Sequence, residues 1–356
     1  MSVKSPSGAS QRLVAPAVKD AKSVATAKSL SADESGGGSR TKGAAAPQTD
    51  SFKAAPDFNE FIPSPEKAPN GWMPRFDLNK YDGKMVGAPA KKGQPDSVEG
   101  RDGDRSTLRP YQPSPGKKRS NELVYYVNGM NTPPGKFSQQ IREAADAVGS
   151  PMLGIYNATN GKTADITQCV ANKLGHMDPA ATATSNLVYD SLVKNGKPTG
   201  KGIHLVGHSQ GGIILSTALG DVKSRLEKLY QNDPKRDQKV ADLLDKVKVE
   251  VWGGAAMNFP DGPRYVHYVN DKDPIPGWFG MNGNLLVLDA PKHGGKDAAY
   301  YRFSDKGEPY PGEGLTAGSA HKIAAYAKYR LQHRTFDEAY KNGGSSITSA
   351  KTLYAD

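Results

Sequence analysis

The serine of Gly207-His208-Ser209-Gln210-Gly211 has the setting that most favours covalent chemistry in this chain. The pattern G-x-S-x-G is typical of a serine on a sharp strand-to-helix turn, where neighbours that lack a Cβ relieve the crowding. Such a turn places the hydroxyl at the N-terminus of a helix, where the dipole favours developing negative charge. We therefore predict that Ser209 is a nucleophile; the alternative is a structural glycine-rich turn.

The residues around this serine supply the elements that the turn requires. An apolar run over residues 202–206 is typical of a buried strand, and the run after Gly212 suits a helix packed on a sheet. Gly207 and Gly211 are predicted to keep the elbow tight. His208, beside the serine, is predicted to have a packing role.

A serine nucleophile needs a general base, and the base needs a carboxylate that orients it. An elbow of this kind places both after the serine, each in a loop that follows a later strand. Asp271 and Asp273 lie in such a loop. Pro274 and Pro276 stiffen the chain just after Asp273, so Asp273 is predicted to be the acid, with Asp271 as the alternative.

The chain has seven histidines from which the base must come. Four precede the predicted acid: His176, His204, His208 and His267. His321 follows Ser319, a good helix N-cap, at the predicted start of the last helix, and it is predicted to be the base. His293, on a glycine-containing loop, is the competitor, and His333 is predicted to lie on a solvated helix face.

Two backbone N–H groups are predicted to stabilise an oxyanion. One belongs to Gln210, directly after the serine, and the other to Met130, in the loop after the first predicted strand. That loop contains Asn128-Gly129, and an ordinary turn is an equally good interpretation of this dipeptide.

Alternation of strands and helical segments predicts an α/β fold with a mostly parallel central sheet and helices on both faces. The predicted strands cover residues 123–127, 151–156, 202–206, 247–252 and 264–269, with a further short run at 285–288. The predicted helices cover residues 137–148, 164–174 and 180–194, the segment after the elbow, and 319–332.

Composition divides the chain into four segments. Residues 1–50, rich in Ser, Ala, Gly and Lys, are predicted to be a disordered tail. Residues 51–118 mix prolines with aromatics and are predicted to form an extended arm that packs on the catalytic domain, with Trp72 as its anchor. The catalytic domain is predicted over residues 119–340, and a C-terminal tail over residues 341–356.

The net charge of +10 lies mainly in residues 1–120, which carry 20 Lys and Arg against 13 Asp and Glu. This excess favours transient contact with an anionic membrane surface or an acidic partner. No basic motif interleaved with aromatics is present, which argues against nucleic acid. The single cysteine, Cys169, excludes an intramolecular disulfide.

The sequence shows neither an apolar leader nor an apolar run long enough to span a bilayer. We therefore expect a soluble protein, either cytoplasmic or exported by a secretion system that needs no signal peptide. The Ser-rich tail resembles the leaders of bacterial type III secreted effectors. That resemblance implies a secretion chaperone as a partner of the tail.

Three motifs resemble the α/β-hydrolase superfamily, and within it the lipases of class 3 type. They are the elbow, the glycine-ended strand Val251-Trp252-Gly253-Gly254 and the acid loop Asn270-Asp271-Lys272-Asp273-Pro274. The resemblance covers about residues 120–335. It implies that Ser209, Asp273 and His321 act as nucleophile, acid and base, without a cofactor or metal. The Asn-Gly-Met loop, and Gln210 where Leu is common, depart from the family pattern and leave the substrate open.

The function implied is hydrolysis of a carboxylic ester, with lipid or phospholipid acyl esters as candidate substrates. The apolar residues Trp278, Phe279 and Met281 favour a lipid, since they could form a lid or contact a bilayer; the alternative is that they pack in the core. A thioesterase or peptidase would use the same triad, and a non-catalytic binding protein could keep the same scaffold.

Overall fold

A mostly parallel β-sheet forms the centre of the protein. The computed structural model describes residues 81–100, 105, 107–130, 132–158, 177–278, 280–281, 293–307 and 317–353. The predicted tail over 1–50, Trp72, Cys169, and the predicted elements at 164–174 and 285–288 lie outside the described residues.

Eleven strands are present in the described part of the chain. In chain order they are β1 (Met85–Gly87), β2 (Ser97–Val98), β3 (Val124–Val127), β4 (Met152–Ile155), β5 (Val193–Lys194), β6 (Lys197–Pro198), β7 (Ile203–His208), β8 (Val247–Trp252), β9 (Arg264–Asn270), β10 (Ala299–Phe303) and β11 (Lys351–Thr352). Nine of them form one sheet in the order β11-β10-β9-β8-β7-β3-β4-β1-β2, and β5 and β6 form a separate hairpin. The pairs from β11 to β4 are parallel, whereas β1 pairs antiparallel with both β4 and β2.

Seven α-helices connect these strands among the described residues. They are α1 (Pro134–Val148), α2 (Pro179–Leu192), α3 (Gln210–Leu229), α4 (Arg236–Leu244), α5 (Pro274–Trp278), α6 (Ile323–Arg330) and α7 (Phe336–Asn342), and a 3-10 helix covers Ala317–His321. Local sequence sets their ends: Gly149, with φ 74°, ends α1, and the Asp178 side chain caps α2 by accepting from the Ala181 N–H at 2.6 Å. No helix in the described ranges is both long and apolar enough to cross a membrane.

Two hydrophobic clusters lie on opposite faces of the sheet. Side chains of α2, α3 and α4 share one cluster, and those of α1, α6 and α7 share the other. Successive side chains of a strand point to opposite faces of the sheet, which explains the division. On β8, for example, Val251 belongs to the first cluster and Trp252 to the second. The predicted α/β class, with a mostly parallel sheet between two layers of helices, is therefore confirmed.

The structure corrects the prediction of one closing helix from Ser319 to about residue 332. His321 ends the 3-10 helix, Lys322 is extended (φ −65°, ψ 143°), and α6 begins only at Ile323. The Asn270 side-chain amide donates to the Ala320 carbonyl at 3.0 Å, and this long-range bond helps to hold the segment apart from the helix. His321 therefore lies before the helix rather than in its first turn.

His333 was predicted on a solvated face, and this prediction was wrong. Only 5% of the residue is exposed, and its ring lies 4.4 Å from that of Tyr301. Burial, and next the charge of Arg330, lower the pKa of His333 to about 4. Its carbonyl accepts hydrogen bonds from Arg330 and Arg119, both at 2.7 Å.

Both segments that flank the predicted catalytic domain add strands to the sheet. Within the predicted arm, Met85–Gly87 pairs with β4 and Ser97–Val98 pairs with β1. Within the predicted C-terminal tail, Lys351–Thr352 pairs in parallel with β10. The pairings of β1 with β4 and of β11 with β10 join segments far apart in the chain, so these short strands leave little local signal.

A buried ion pair connects α6 to the sheet. Arg330 Nε lies 2.6 Å from Glu250 Oε2, and neither side chain is exposed. His204 and Trp252 also hydrogen-bond to the Glu250 carboxylate, each at 3.2 Å. Burial by itself would raise the pKa of Glu250, but the charge of Arg330 and the bond from His204 outweigh it and bring that pKa to about 2. The ion pair thus anchors the helix that follows His321.

Candidate active site

Ser209 occupies the turn between β7, which ends at His208, and α3, which begins at Gln210. Its backbone has φ 59° and ψ −123°, a conformation that non-glycine residues rarely adopt. Three backbone bonds hold it there: the Ser209 N–H donates to the Trp252 carbonyl at 3.2 Å, and the Ser209 carbonyl accepts from Gly212 and Ala255 at 3.0 and 3.1 Å. This is the geometry that a G-x-S-x-G nucleophile elbow requires.

Close approach of α3 to the sheet explains both glycines of the motif. A Cβ on Gly211 would lie 2.2 Å from the Val127 carbonyl oxygen, and a Cβ on Gly207 would lie 2.9 Å from the Gly211 carbonyl carbon and oxygen. Neither distance is sterically possible, so β3, β7 and α3 can meet at the serine only when both positions lack a side chain.

The structure brings His321 and Asp273 together. His321 Nδ1 lies 2.6 Å from Asp273 Oδ2, and the carboxylate is fully buried. Asp273 directly precedes α5, and its Oδ1 accepts the N–H of Ile275, in the first turn of that helix, at 2.8 Å. Because the carboxylate accepts from Nδ1, the second ring nitrogen of His321, Nε2, is left to act as a base.

The two alternative residues have other partners. The Asp271 carboxylate is exposed at the sheet edge, where it accepts from Arg302 Nε at 2.8 Å. His293 pairs with Asp261 at 2.6 Å, and about half of each side chain is exposed. The acid–base pair that the structure assembles is therefore Asp273 with His321.

His208 connects the elbow to His321. The two imidazole rings stack at 4.7 Å and 28°, and His208 Nε2 donates to the His321 carbonyl at 2.8 Å. Burial, and next the nearby His321, lower the pKa of His208 well below its ordinary value, so His208 is neutral. His208, the residue directly before Ser209, thus packs against His321, the predicted base.

The loop after β3 contacts the serine from the other side. A Cβ on Gly129 would lie 2.6 Å from Ser209 Cβ and 3.0 Å from Ser209 Oγ. Within the described residues, the backbone N–H groups of Met130 and Gln210 have no hydrogen-bond acceptor. Gln210 owes this to its position in the first turn of α3, where N–H groups lack partners within the helix. Both predicted oxyanion donors therefore belong to segments that adjoin Ser209.

Sequence reasoning missed a network of buried amides behind this loop. The Asn128 carboxamide donates to the Gly129 carbonyl at 2.8 Å and the Asn157 carbonyl at 2.9 Å, and it accepts the Asn157 N–H at 2.8 Å. The Asn157 side chain in turn donates to Gln210 Oε1 at 2.9 Å. In a trans peptide the carbonyl of Gly129 and the N–H of Met130 point in opposite directions. By holding that carbonyl, Asn128 fixes the direction of the Met130 N–H.

Met281 of the predicted lid or substrate segment is a core residue, 5% exposed. Gly280, just before it, packs on the turn after β8, since a Cβ there would lie 2.0 Å from the Gly254 carbonyl oxygen. Trp278 is the last residue of α5; its side chain and the whole of Phe279 lie outside the described residues.

Gly129→Ala is expected to slow reaction at Ser209 at least about tenfold. The new methyl group cannot lie 2.6 Å from Ser209 Cβ, so the loop must move away from the serine and carry the Met130 N–H with it. The rate of labelling by a fluorophosphonate probe measures this. Gly135→Ala is the matched control, because among the described residues no atom outside its own turn of α1 lies within 4 Å of a Cβ at that position. Equal rates in both variants would contradict the expected contact.

The chain matches no protein-family model and no curated protein. Among solved structures it is similar to Trichoderma reesei cutinase in complex with a C11Y4 phosphonate inhibitor (15% identity over 61% of this chain and 80% of that chain, TM-score 0.29). It is also similar to Est1E from Butyrivibrio proteoclasticus (13% identity, 62% and 89%, TM-score 0.26) and to a puromycin-hydrolyzing peptidase of Mycobacterium tuberculosis (12% identity, 65% and 36%, TM-score 0.25). None of these three is named as a class 3 lipase. Because these TM-scores are low, the fold is established by the strand order and the elbow of this chain itself.

Proposed function

We propose that this protein is a serine hydrolase that cleaves carboxylic esters through an acyl-enzyme, with Ser209, His321 and Asp273 as its triad. The observation that carries the proposal is the hydrogen bond of 2.6 Å between His321 Nδ1 and the buried Asp273 carboxylate. The His321 ring stacks on that of His208, the residue directly before Ser209, and Ser209 has the strained elbow conformation with φ 59°. A serine on an elbow turn and a histidine oriented by a carboxylate are two of the parts that nucleophilic catalysis by a triad requires.

In the first step Ser209 Oγ attacks the ester carbonyl carbon while His321 Nε2 takes the hydroxyl proton. The Asp273 carboxylate, through Nδ1, stabilises the imidazolium that forms. The carbonyl π electrons move to oxygen, and the N–H groups of Gln210 and Met130 donate to that oxyanion. When the tetrahedral intermediate collapses, the C–O bond to the alcohol breaks and the departing oxygen receives the proton from His321.

In the second step water hydrolyses the acyl-enzyme. His321 takes a proton from the water, whose oxygen attacks the acyl carbon. The bond to Ser209 Oγ then breaks, and the proton returns to the serine. The acid product leaves, and the three side chains regain their starting protonation states. No cofactor or metal enters the cycle.

Acyl esters of lipids or phospholipids are the substrate class that we propose. The apolar residues of the segment from Pro276 to Met281 support it, because this segment directly follows the loop that holds Asp273. Part of the segment is core, since Met281 is buried. Action as an exported effector, with a secretion chaperone on residues 1–50 and transient contact with a membrane surface, is proposed from the Ser-rich, basic composition of the N-terminal region.

Hydrolysis of nitrophenyl esters from acetyl to dodecanoyl tests this function, with the matching thioesters and anilides as parallel series. The proposal expects ester turnover far above that of Ser209→Ala, with longer acyl chains preferred over acetyl. A thioesterase would show its highest kcat/KM in the thioester series, and a peptidase in the anilide series. Turnover in no series would indicate a non-catalytic scaffold, and each of these three results would overturn the ester proposal.

A further inference from the structure

A third side chain contacts the acid–base pair. The hydroxyl of Tyr326, on α6, donates to Asp273 Oδ2, the same oxygen that accepts His321 Nδ1. Tyr326 is fully buried. The triad assigned above does not use this residue, and no pattern in the sequence singles it out.

The Tyr326 ring is held on several sides. It packs edge-on against Phe303 with 5.3 Å between ring centroids, and against His208 with 5.8 Å. A Cβ on Gly253 would lie 2.5 Å from the Tyr326 hydroxyl oxygen, so glycine at that position leaves just enough room for the hydroxyl beside Asp273. The hydroxyl is therefore fixed in place by packing as well as by its hydrogen bond.

The hydroxyl must be the donor in this bond. Burial, and next the negative charge of Asp273, raise the pKa of Tyr326 well above its ordinary value, so the phenol keeps its proton at neutral pH. A phenol proton directed at Oδ2 takes up part of the carboxylate's negative charge and restricts its rotation.

We propose that Tyr326 is a positioning residue that sets how strongly Asp273 holds the protonated form of His321. This inference rests on the proposed function. His321 Nδ1 and the Tyr326 hydroxyl both donate to Oδ2. The bond from either donor weakens the bond that the same oxygen makes with the other. Loss of the hydroxyl would leave that oxygen to His321 alone, which favours the imidazolium over the neutral ring.

Among the described residues, three other titratable groups contact the pair or adjoin it in the chain. His208 stacks on His321 from the end of β7 and is neutral. Asp271 precedes Asp273 in the same loop and pairs with Arg302. Lys322 follows His321 in the chain. Tyr326→Phe alters none of these side chains, so a change in pH dependence would come from the missing hydroxyl.

The test is the rate of Ser209 labelling by a fluorophosphonate in wild type and Tyr326→Phe as a function of pH. The reaction requires the neutral form of His321 in the free enzyme. The acid limb of the profile therefore reports the protonation of this imidazole. In Tyr326→Phe the midpoint of that limb is expected to move to higher pH by about half a unit or more, the scale of one hydrogen bond to a charged group. The labelling rate should fall most at low pH.

Tyr329→Phe is the matched control. Tyr329 lies on the same helix, and its hydroxyl donates to Asp305 at 3.3 Å. Its removal should leave the midpoint unchanged. A Tyr326 with a purely structural role would give a lower rate at every pH without a shift of the midpoint, and this result would overturn the inference.

If Tyr326→Phe does not fold, replacement of Tyr326 by a ring-fluorinated tyrosine preserves the packing and makes the hydroxyl a stronger donor. The midpoint should then move to lower pH, and an unchanged midpoint would again overturn the inference. Failure of the proposed function is a different result. In that case wild-type protein would not be labelled at Ser209 at all, whereas failure of this inference leaves labelling intact and only the midpoint unmoved.

Discussion

Ser209→Ala is expected to hydrolyse esters about 10³-fold or more slowly than wild type, with thermal stability almost unchanged. The serine hydroxyl would form the covalent bond to the acyl group, and alanine has no atom that can replace it. Within the described residues the hydroxyl makes no hydrogen bond, so among them its removal breaks none. Steady-state kinetics, together with a thermal melt of both proteins, measures the two parts of this expectation.

Ser224→Ala is the control for that experiment. Ser224 lies on α3, as an exposed residue whose hydroxyl donates to the Gly220 carbonyl at 3.0 Å. Its variant should retain wild-type activity. Residual activity of Ser209→Ala within about tenfold of wild type would show that another group is the nucleophile.

Asp273→Asn should lower kcat about 10²- to 10⁴-fold. Asparagine fits the same space, but its amide can donate where the carboxylate only accepts. The imidazole of His321 would then carry its proton on Nε2, and that nitrogen could no longer accept the serine proton. The loss should fall on kcat, because the role proposed for Asp273 is to orient His321.

The neighbouring aspartate gives the comparison. Asp271→Asn removes a partly exposed pair with Arg302 and should change kcat less than about tenfold. Thermal melts of both variants show whether either loss comes from unfolding. Similar kcat losses in folded Asp271→Asn and Asp273→Asn would contradict the assignment of the acid.

The central part of the fold could be predicted from the sequence because its signals are local. The strand–glycine–helix order around Ser209 and the alternation over 247–252 each depend on a few consecutive residues. The prolines after Asp273 favoured it over Asp271, and the structure places Asp273 beside His321. In each case the residue type restricts its own backbone or its nearest neighbours.

Features that depend on distant contacts were missed. β10 was not predicted, and the break between the 3-10 helix and α6 depends on Asn270, which donates to the Ala320 carbonyl from 50 positions earlier in the chain. Glu250 gave a misleading signal, since a glutamate in an alternating strand suggests a solvated face. Its burial becomes possible only because Arg330 reaches it from α6.

The side chains that support the site also depend on contacts with distant parts of the chain. Tyr326 lies five positions after His321, but nothing in that spacing indicates a bond to Asp273, which is 53 positions away. Asn157 offered a usable signal, because a polar residue just after a parallel strand often lies at the edge of the sheet where ligands bind. A search for such residues after every predicted strand would have found it.

Reaction of the protein with a fluorophosphonate, followed by peptide mass spectrometry, tests the central claim most directly, because the reagent reacts far faster with an activated serine than with an ordinary one. The account predicts one adduct, on the peptide that contains Ser209, that is absent from Ser209→Ala and forms more slowly in Asp273→Asn. Wild-type protein that stays unlabelled, or that carries the adduct on another serine, would contradict it.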